Sequence, residues 1–193
     1  MFYDNHAKEY AELTVKADMS KQYTKFMAYL PTDASILDAG CGSGRDSLFF
    51  MKKGYAVTML DASAEMCKCA ERLTGQKALH MQFDEIDFEK QFDGIWACAS
   101  ILHLSKDELR DVTRKMIRAA KTGGYLYMSF KYGTFGGYRG DRYFTDFTEE
   151  SFAEFIKQFP EIDLTEQWIS SDVRPGRGDE RWLNSILQKR ITN

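Results

Sequence analysis

Apolar residues along this chain follow two alternating rhythms, a helical one and a strand one. In the first thirty residues Tyr23, Phe26, Met27 and Leu30 fall on one helical face, and Pro31 ends that pattern. Ser35–Ala39 is then a short apolar run that enters a glycine-rich turn. Asp46–Lys53 carries Leu48, Phe49 and Met51 at helical spacing and closes at Gly54. Tyr55–Leu60 predicts a second strand and Ala64–Leu73 a second helix of the alternation, stopped near Gly75. Lys77–Gln82 and Phe92–Ala99 predict two further strands. Ser105 and Glu108 have capping-box spacing and open a helix to about Lys121. After Gly123-Gly124 comes the strand Tyr125–Tyr132, then a helix capped by Thr148 through Phe159, then two strands at Ile162–Ile169 and Trp182–Ile191.

Strands alternating with helices of this length predict a mostly parallel sheet covered on both faces. The last two strands have no helix between them, so they run antiparallel to one another. The expected fold is therefore an α/β, three-layer α/β/α sandwich, with a mostly parallel seven-stranded sheet and an antiparallel terminal hairpin. One domain spans 1–193, with residues 1–33 as a helical lid over the 34–193 core.

Composition narrows the function classes. The chain has 193 residues, 44% of them hydrophobic, with a net charge of −3. A nearly neutral chain has no global field drawing it onto nucleic acid. No apolar run approaches the ~20 residues of a membrane span. Met1-Phe2-Tyr3-Asp4-Asn5-His6 lacks a basic region followed by an apolar stretch, so no secretory signal is expected. Cys41, Cys67, Cys69 and Cys98 form no CxxC pair, and His6, His80 and His103 lie far apart. That pattern predicts reduced thiols, no metal and a cytoplasmic setting.

The chemistry concentrates in Ile36-Leu37-Asp38-Ala39-Gly40-Cys41-Gly42-Ser43-Gly44-Arg45, where a strand runs through three glycines into a helix. Glycines let the backbone turn sharply and let a ligand lie against bare main chain. Asp61 ends the next strand, 21 residues after Gly40. A carboxylate there accepts hydrogen bonds from ribose hydroxyls. Together these point to an adenosine-containing cofactor. The spacing is G-x-G-x-G, with Arg45 where a dinucleotide binder has its third glycine, and the acidic Asp38 before the turn suits a cationic ligand.

The segment resembles the S-adenosylmethionine signature of class I methyltransferases. The whole chain aligns in order with that superfamily, near the small single-domain bacterial enzymes of the tellurite-resistance and ubiquinone-biosynthesis type. The resemblance implies that Asp38, Gly40, Gly42 and Gly44 cradle the methionine part of the cofactor, with Cys41 and Arg45 of the same turn also cofactor-binding. It places Asp61 on the ribose and Ala62, Ser63 and Met66 beside the adenosine. Phe83 and Asp84 stand where the family puts an adenine wall and a polar contact. Cys98-Ala99-Ser100-Ile101-Leu102-His103 corresponds to the segment facing the reactive methyl, which brings in Ala99. Lys121-Thr122-Gly123-Gly124-Tyr125 matches a turn of the family, with Thr122 in place of the usual proline. The opening Tyr3-Asp4, Ala7 and Tyr10 resemble a lid motif closing over the cofactor.

Two loops bear on the acceptor. Gly133–Arg142 is glycine-rich and expected to be mobile, and Asp172–Trp182 joins the last two strands. If both overhang the site, Arg139, Arg142, Arg174, Arg177 and Arg181 form a clamp for carboxylate or phosphate. The alternative is a self-neutralised loop in which Asp172, Asp179 and Glu180 pair those arginines. His103 is either a general base or a structural cap, and many methyl transfers need only proximity. Tyr125, Tyr127 and Tyr132 read as packing.

The expected activity is methyl transfer to a small molecule bearing a carboxylate or phosphate, by a monomer or homodimer with no membrane partner. Its rivals are a catalytically silent S-adenosylmethionine-binding subunit, an RNA-modifying methyltransferase and a nucleotide-dependent oxidoreductase. No acidic or amide residue followed by Pro-Pro and an aromatic is present, which argues against amino-group methylation of bases.

Overall fold

The computed structural model describes residues 2–15, 17–174 and 176–191; the side chains of residues 2, 3, 5, 8 and 10 are outside that description, and so, with its side chain, is the role expected of Tyr10. In chain order the elements are α1 (Phe2–Thr14), α2 (Ser20–Met27), β1 (Ser35–Ala39), α3 (Arg45–Lys52), β2 (Ala56–Asp61), α4 (Ala64–Thr74), β3 (Ala78–His80) and β4 (Phe92–Ala97). They continue with α5 (Lys106–Ala119), β5 (Ala120–Lys131), β6 (Gly136–Arg139), β7 (Arg142–Thr145), α6 (Glu149–Ile156), β8 (Ile162–Ser171) and β9 (Arg181–Lys189).

Seven strands form one sheet in the order β3-β2-β1-β4-β5-β9-β8. The first five are mutually parallel, and β9 runs antiparallel to both of its neighbours. β8 therefore points the same way as β5, and the loop from β8 to β9 opens at the carboxyl edge with the other crossover loops. The order reverses at β1, which puts the ligand crevice beside its carboxyl end.

Strand periodicity explains the two cores. Leu37, Leu60, Ile95 and Leu126 face one way, into a cluster with Leu109, Met116 and Phe152 of α5 and α6. Their chain neighbours Ile36, Met59, Trp96 and Tyr127 face the other way, onto Phe26 and Phe50 of α2 and α3. Trp96 and Tyr127 stack across adjacent strands with centroids 3.8 Å apart. Local chemistry fixes the helix ends. Ser105 and Glu108 cap α5 reciprocally, Thr148 and Ser151 cap α6, and Ser63 caps α4, which stops at Gly75 in the left-handed region.

Three expectations need correction. The continuous N-terminal helix is two helices, because the Asp18 carboxylate accepts the Ser20 N–H at 2.9 Å and starts α2 afresh. The glycine-rich loop after β5 is ordered as a separate two-stranded sheet, β6 paired antiparallel with β7. The Gly123-Gly124 turn lies inside β5, where the pairing with β4 shifts register between Phe92 and Gly94.

Candidate functional site

The carboxyl ends of β1, β2, β4 and β5 open into one cavity of about 820 Å³, which continues under the β6–β7 hairpin. That volume lies in the upper range for a ligand pocket.

The glycine turn forms its first wall. Gly40 has φ +85, and a Cβ on it would stand 2.4 Å from the Ser100 side chain and 3.1 Å from the Phe83 ring. Gly44 caps α3 at φ +83, with α4 so close that a Cβ would meet Ala70 at 2.9 Å. The close helix contact that dinucleotide folds assign to a later glycine is thus made by Gly44, which leaves position 45 free for a long side chain. Gly44 does not itself line the cavity. Gly40, Cys41 and Gly42 do, with Asp61, Ala62, Met66, Phe83 and Asp84 along the adjoining side.

Asp61 accepts the N–H of Gly42 at 2.8 Å and of Ser63 at 2.9 Å, which locks the tip of β2 to the turn. Burial pushes its carboxyl up, and these two N–H groups work against that shift. Each carboxylate oxygen keeps a further lone pair for a hydroxyl. Ser63 itself caps α4 and donates to Asp4 at 2.6 Å, so it fastens α1 to α4 and lies outside the cavity.

Asp38 also lies outside the cavity, buried beneath the turn and accepting the Ser47 hydroxyl at 2.6 Å. Complete burial, and then the nearby Asp46 charge, push its carboxyl up to about 8. The cavity-lining carboxylate here is Asp46, which sequence reasoning missed. It accepts Trp96 Nε1 at 2.8 Å, the Tyr23 hydroxyl and Arg45 Nε. Burial disfavours its charge, but Arg45 and these donors prevail and hold it below the usual carboxylate range. Burial likewise works against the Arg45 charge, and Asp46 overrides it. An acidic residue in the first turn of a helix complements the helix dipole, which hides a ligand-site residue among ordinary caps.

Beyond β4 the chain turns through Ala99 at φ +50, a left-handed conformation uncommon without glycine. Its N–H donates to Ser129 Oγ at 2.8 Å, and the Ser100 hydroxyl donates to the Ala39 carbonyl at 2.6 Å. These bonds fix the strained turn in the middle of the cavity. His103 follows on a single 3-10 turn and donates Nδ1–H to the Tyr143 carbonyl at 2.8 Å. In the neutral ring that bond leaves the basic lone pair on Nε2. Burial lowers its pKa, partly offset by the Tyr143 bond and reinforced by Arg142 and Lys131.

The hairpin closes the far end. Arg139 is held by Asp146, Nη1 to Oδ1 at 3.1 Å, and lies 4.2 Å over the Phe135 ring. Arg142 lies 5.2 Å over Phe144 and lines the chamber. Arg174 is held by the buried Asp172, backbone N and Nε to Oδ1 both at 2.9 Å, and Arg177 reaches Glu180 at 3.4 Å. Arg181 is exposed on β9 and does not line the cavity. So the structure brings Arg139, Arg142, Arg174 and Arg177 together and leaves Arg181 out, with Asp146, Asp172 and Glu180 offsetting part of the charge. Sequence reasoning missed Lys131, which lies 5.7 Å over the Trp182 ring and pairs with Glu180. Tyr127 stacks on Trp96 and donates its hydroxyl to Asn184, and it also lines the cavity.

No helix among the described residues is long and apolar enough to cross a membrane. A family model described as "Methyltransferase domain" matches residues 36–124. The chain is 34% identical over 143 residues to the putative methyltransferase YqeM of Bacillus subtilis, covering 68% of this chain and 58% of that protein. It is 36% identical over 106 residues to a malonyl-[acyl-carrier protein] O-methyltransferase of Enterobacter lignolyticus, covering 52% of this chain and 41% of that protein. Among solved structures, the 1,6-didemethyltoxoflavin-N1-methyltransferase of Burkholderia thailandensis, with bound 1,6-didemethyltoxoflavin and S-adenosylhomocysteine, superposes with a TM-score of 0.78. That match has 22% identity and covers 97% of this chain and 84% of that one, a likeness of fold.

Proposed function

The chain belongs to the class I, Rossmann-like S-adenosylmethionine-dependent methyltransferases, and on that premise we propose that it methylates a small anionic acceptor held beneath the β6–β7 hairpin. The observation that carries this reading is the continuity of one cavity from Asp61 and the glycine turn, past Ala99 and His103, to the arginine-lined chamber. The residues present fit the cofactor. Gly40 lets the turn pack directly on Ser100, where a Cβ would collide, Asp61 at the tip of β2 would take the ribose, and the half-buried Phe83 offers a ring beside Gly40.

Bound S-adenosylmethionine would supply an electrophilic methyl group on a sulfonium, with S-adenosylhomocysteine as the product. The chain's residues set the line of approach. Asp61 and the glycine turn hold the donor side, and Ala99, fixed by Ser129, marks the midpoint. The hairpin would exclude water and orient the acceptor against the donor side of the cavity. His103 accepts the acceptor's proton at Nε2 where the nucleophile carries one. Lys131, Arg139, Arg142, Arg174 and Arg177 line the chamber that takes the acceptor's anion, with Asp146, Asp172 and Glu180 offsetting part of their charge. α1 and α2 form a lid that shields the donor.

Isothermal titration with S-adenosylmethionine, S-adenosylhomocysteine and NAD, repeated on Asp61→Ala, tests the reading. Micromolar binding of both sulfur compounds, lost in the variant, is expected. Binding of NAD alone would overturn it.

A further inference from the structure

One strand of the hairpin ties the acceptor chamber to His103. β7 offers the Tyr143 carbonyl to His103 Nδ1 at 2.8 Å, and its Thr145 hydroxyl donates to the Leu104 carbonyl at 2.7 Å. The strand thus grips two successive residues of the 3-10 turn that carries the imidazole. Between the two grips stands Phe144, 4% exposed and part of the apolar core. Four polar side chains nevertheless crowd its ring. His103 meets it edge-on with centroids 4.7 Å apart, Arg139 and Arg142 lie 5.0 and 5.2 Å from its centre, and the Lys131 ammonium lies 6.0 Å away.

An aromatic face attracts cations, so one ring can hold together side chains that would otherwise repel each other. Sharing that ring also brings the imidazole and the Arg142 guanidinium within about 10 Å of one another, a span that one small acceptor can bridge. From β5 and β7 the charged groups facing His103 are Lys131 and Arg142, and both oppose its protonation. β6 adds Arg139, which is tied to Asp146. From α5, Glu108 is held on the Ser105 N–H and hydroxyl at 2.8 and 2.6 Å, and Lys106 lies over Phe147. An anion seated at Arg142 and Lys131 cancels their opposition, because it supplies the opposite charge at the same place.

We propose, on the methyltransferase reading above, that Phe144 is a positioning residue that gathers the anion site and His103 about one ring, so that an anion held by Arg142 and Lys131 makes His103 a stronger base. The acceptor that brings the anion then prepares the group that takes its proton. A neutral analogue fills the chamber without that effect, so charge is selected twice, once in binding and once in the proton step. Leucine at position 144 would still fill the core, but it has no ring face to gather cations.

The test is a pH titration of the His103 Cε1–H by NMR in the full chain, assigned by its loss in His103→Asn. It is run with sodium sulfate, a dianion of constant charge over the range, and with sodium chloride at matched ionic strength. Sulfate is expected to raise the proton affinity of His103 about three- to tenfold, the effect of a charge several ångströms away under screening close to that of water. His80, outside the chamber, should move less. Phe144→Leu should lose most of the rise, and Phe144→Tyr, which restores a ring, should keep it. Arg142→Gln should raise the affinity before sulfate is added and shrink the further rise. No rise in the wild-type protein overturns the proposal without any variant. So does an undiminished rise in Phe144→Leu, the mark of a ring that only fills space. If that variant fails to fold, an undiminished rise in Arg142→Gln overturns it instead. Calorimetric titration of the same wild-type sample with S-adenosylhomocysteine tells two failures apart. No binding there sinks the methyltransferase reading, whereas binding without the sulfate effect sinks this inference alone.

Discussion

At the tips of β1 and β2, the polar groups offered to a ligand are backbone or a short side chain held by backbone. The ion pair beside them, Arg45–Asp46, is fixed by Trp96 and Tyr23. Asp61 is pinned by two N–H groups, and Gly40 has no room to move. Under the hairpin, they are long cationic side chains whose positions depend on partner carboxylates, Arg139 on Asp146 and Arg174 on Asp172. The first end is rigid because its geometry follows from strand tips that the whole sheet enforces. The second can be rearranged by exchanging one ion pair for another. A shared donor suits the first construction, and a family-specific acceptor suits the second.

Substitutions should separate the two ends. Gly40→Ala forces a Cβ against Ser100 at a left-handed φ. S-adenosylhomocysteine affinity should fall by on the order of 100-fold or more, with a lower melting temperature, since such strain costs about 1–3 kcal/mol before any lost contact. His103→Asn acts between the ends. If His103 takes the proton, kcat should drop by about 10²–10⁴ while S-adenosylhomocysteine affinity stays unchanged. Its pKa is lowered, chiefly by burial, and protonation disables a base. The acid limb of the wild-type rate profile should therefore fall below the ordinary imidazole value of about 6.5 and vanish in the variant.

Arg142→Ala touches only the hairpin end. It should raise KM for an anionic acceptor about tenfold, with kcat and S-adenosylhomocysteine affinity unchanged. The smallest effect is expected beneath the turn. Asp38 has its carboxyl raised from 3.8 to about 8, so between those values the folded protein holds a proton the unfolded chain has lost. Stability contributed by that proton is lost as pH rises through this window. Asp38→Asn should raise the melting temperature by a few degrees at pH 8 and leave it nearly unchanged at pH 4.

The rigid end was also the legible end. Apolar runs, capping boxes and the spacing from Gly40 to Asp61 report on local backbone, so the sheet, the turn and the place of Asp61 at a strand tip were legible in the sequence. Which of Asp38 and Asp46 faces the cavity was not legible, because burial, not residue type, separates them. Both are acidic and close to the turn, and only one faces the cavity. The hairpin was masked by Gly136, Gly137 and Gly140, which read as a loop. Its signal was the dipeptide Gly140-Asp141, a two-residue hairpin turn between Tyr138-Arg139 and Arg142-Tyr143. The break before α2 had its signal too, an aspartate two residues ahead of a serine. The ion pairs of the chamber were open in the sequence as two alternatives, and the structure contains elements of both.

The hairpin leaves and rejoins the main sheet at one neck. Gly133 N–H donates to the Phe147 carbonyl and Phe147 N–H to the Lys131 carbonyl, both at 3.1 Å, and everything between hangs outside the seven-stranded frame. Lengthening or replacing such an excursion alters neither the register of β5 on β9 nor the strand tips around Asp61, and the entropy of closing the loop grows only slowly with its length. The hairpin is thus a cassette, open to inheritance and exchange as a unit. Descendants of one ancestral donor site can acquire new acceptors by rewriting the stretch from Thr134 to Asp146 while the machinery beneath it passes down unchanged.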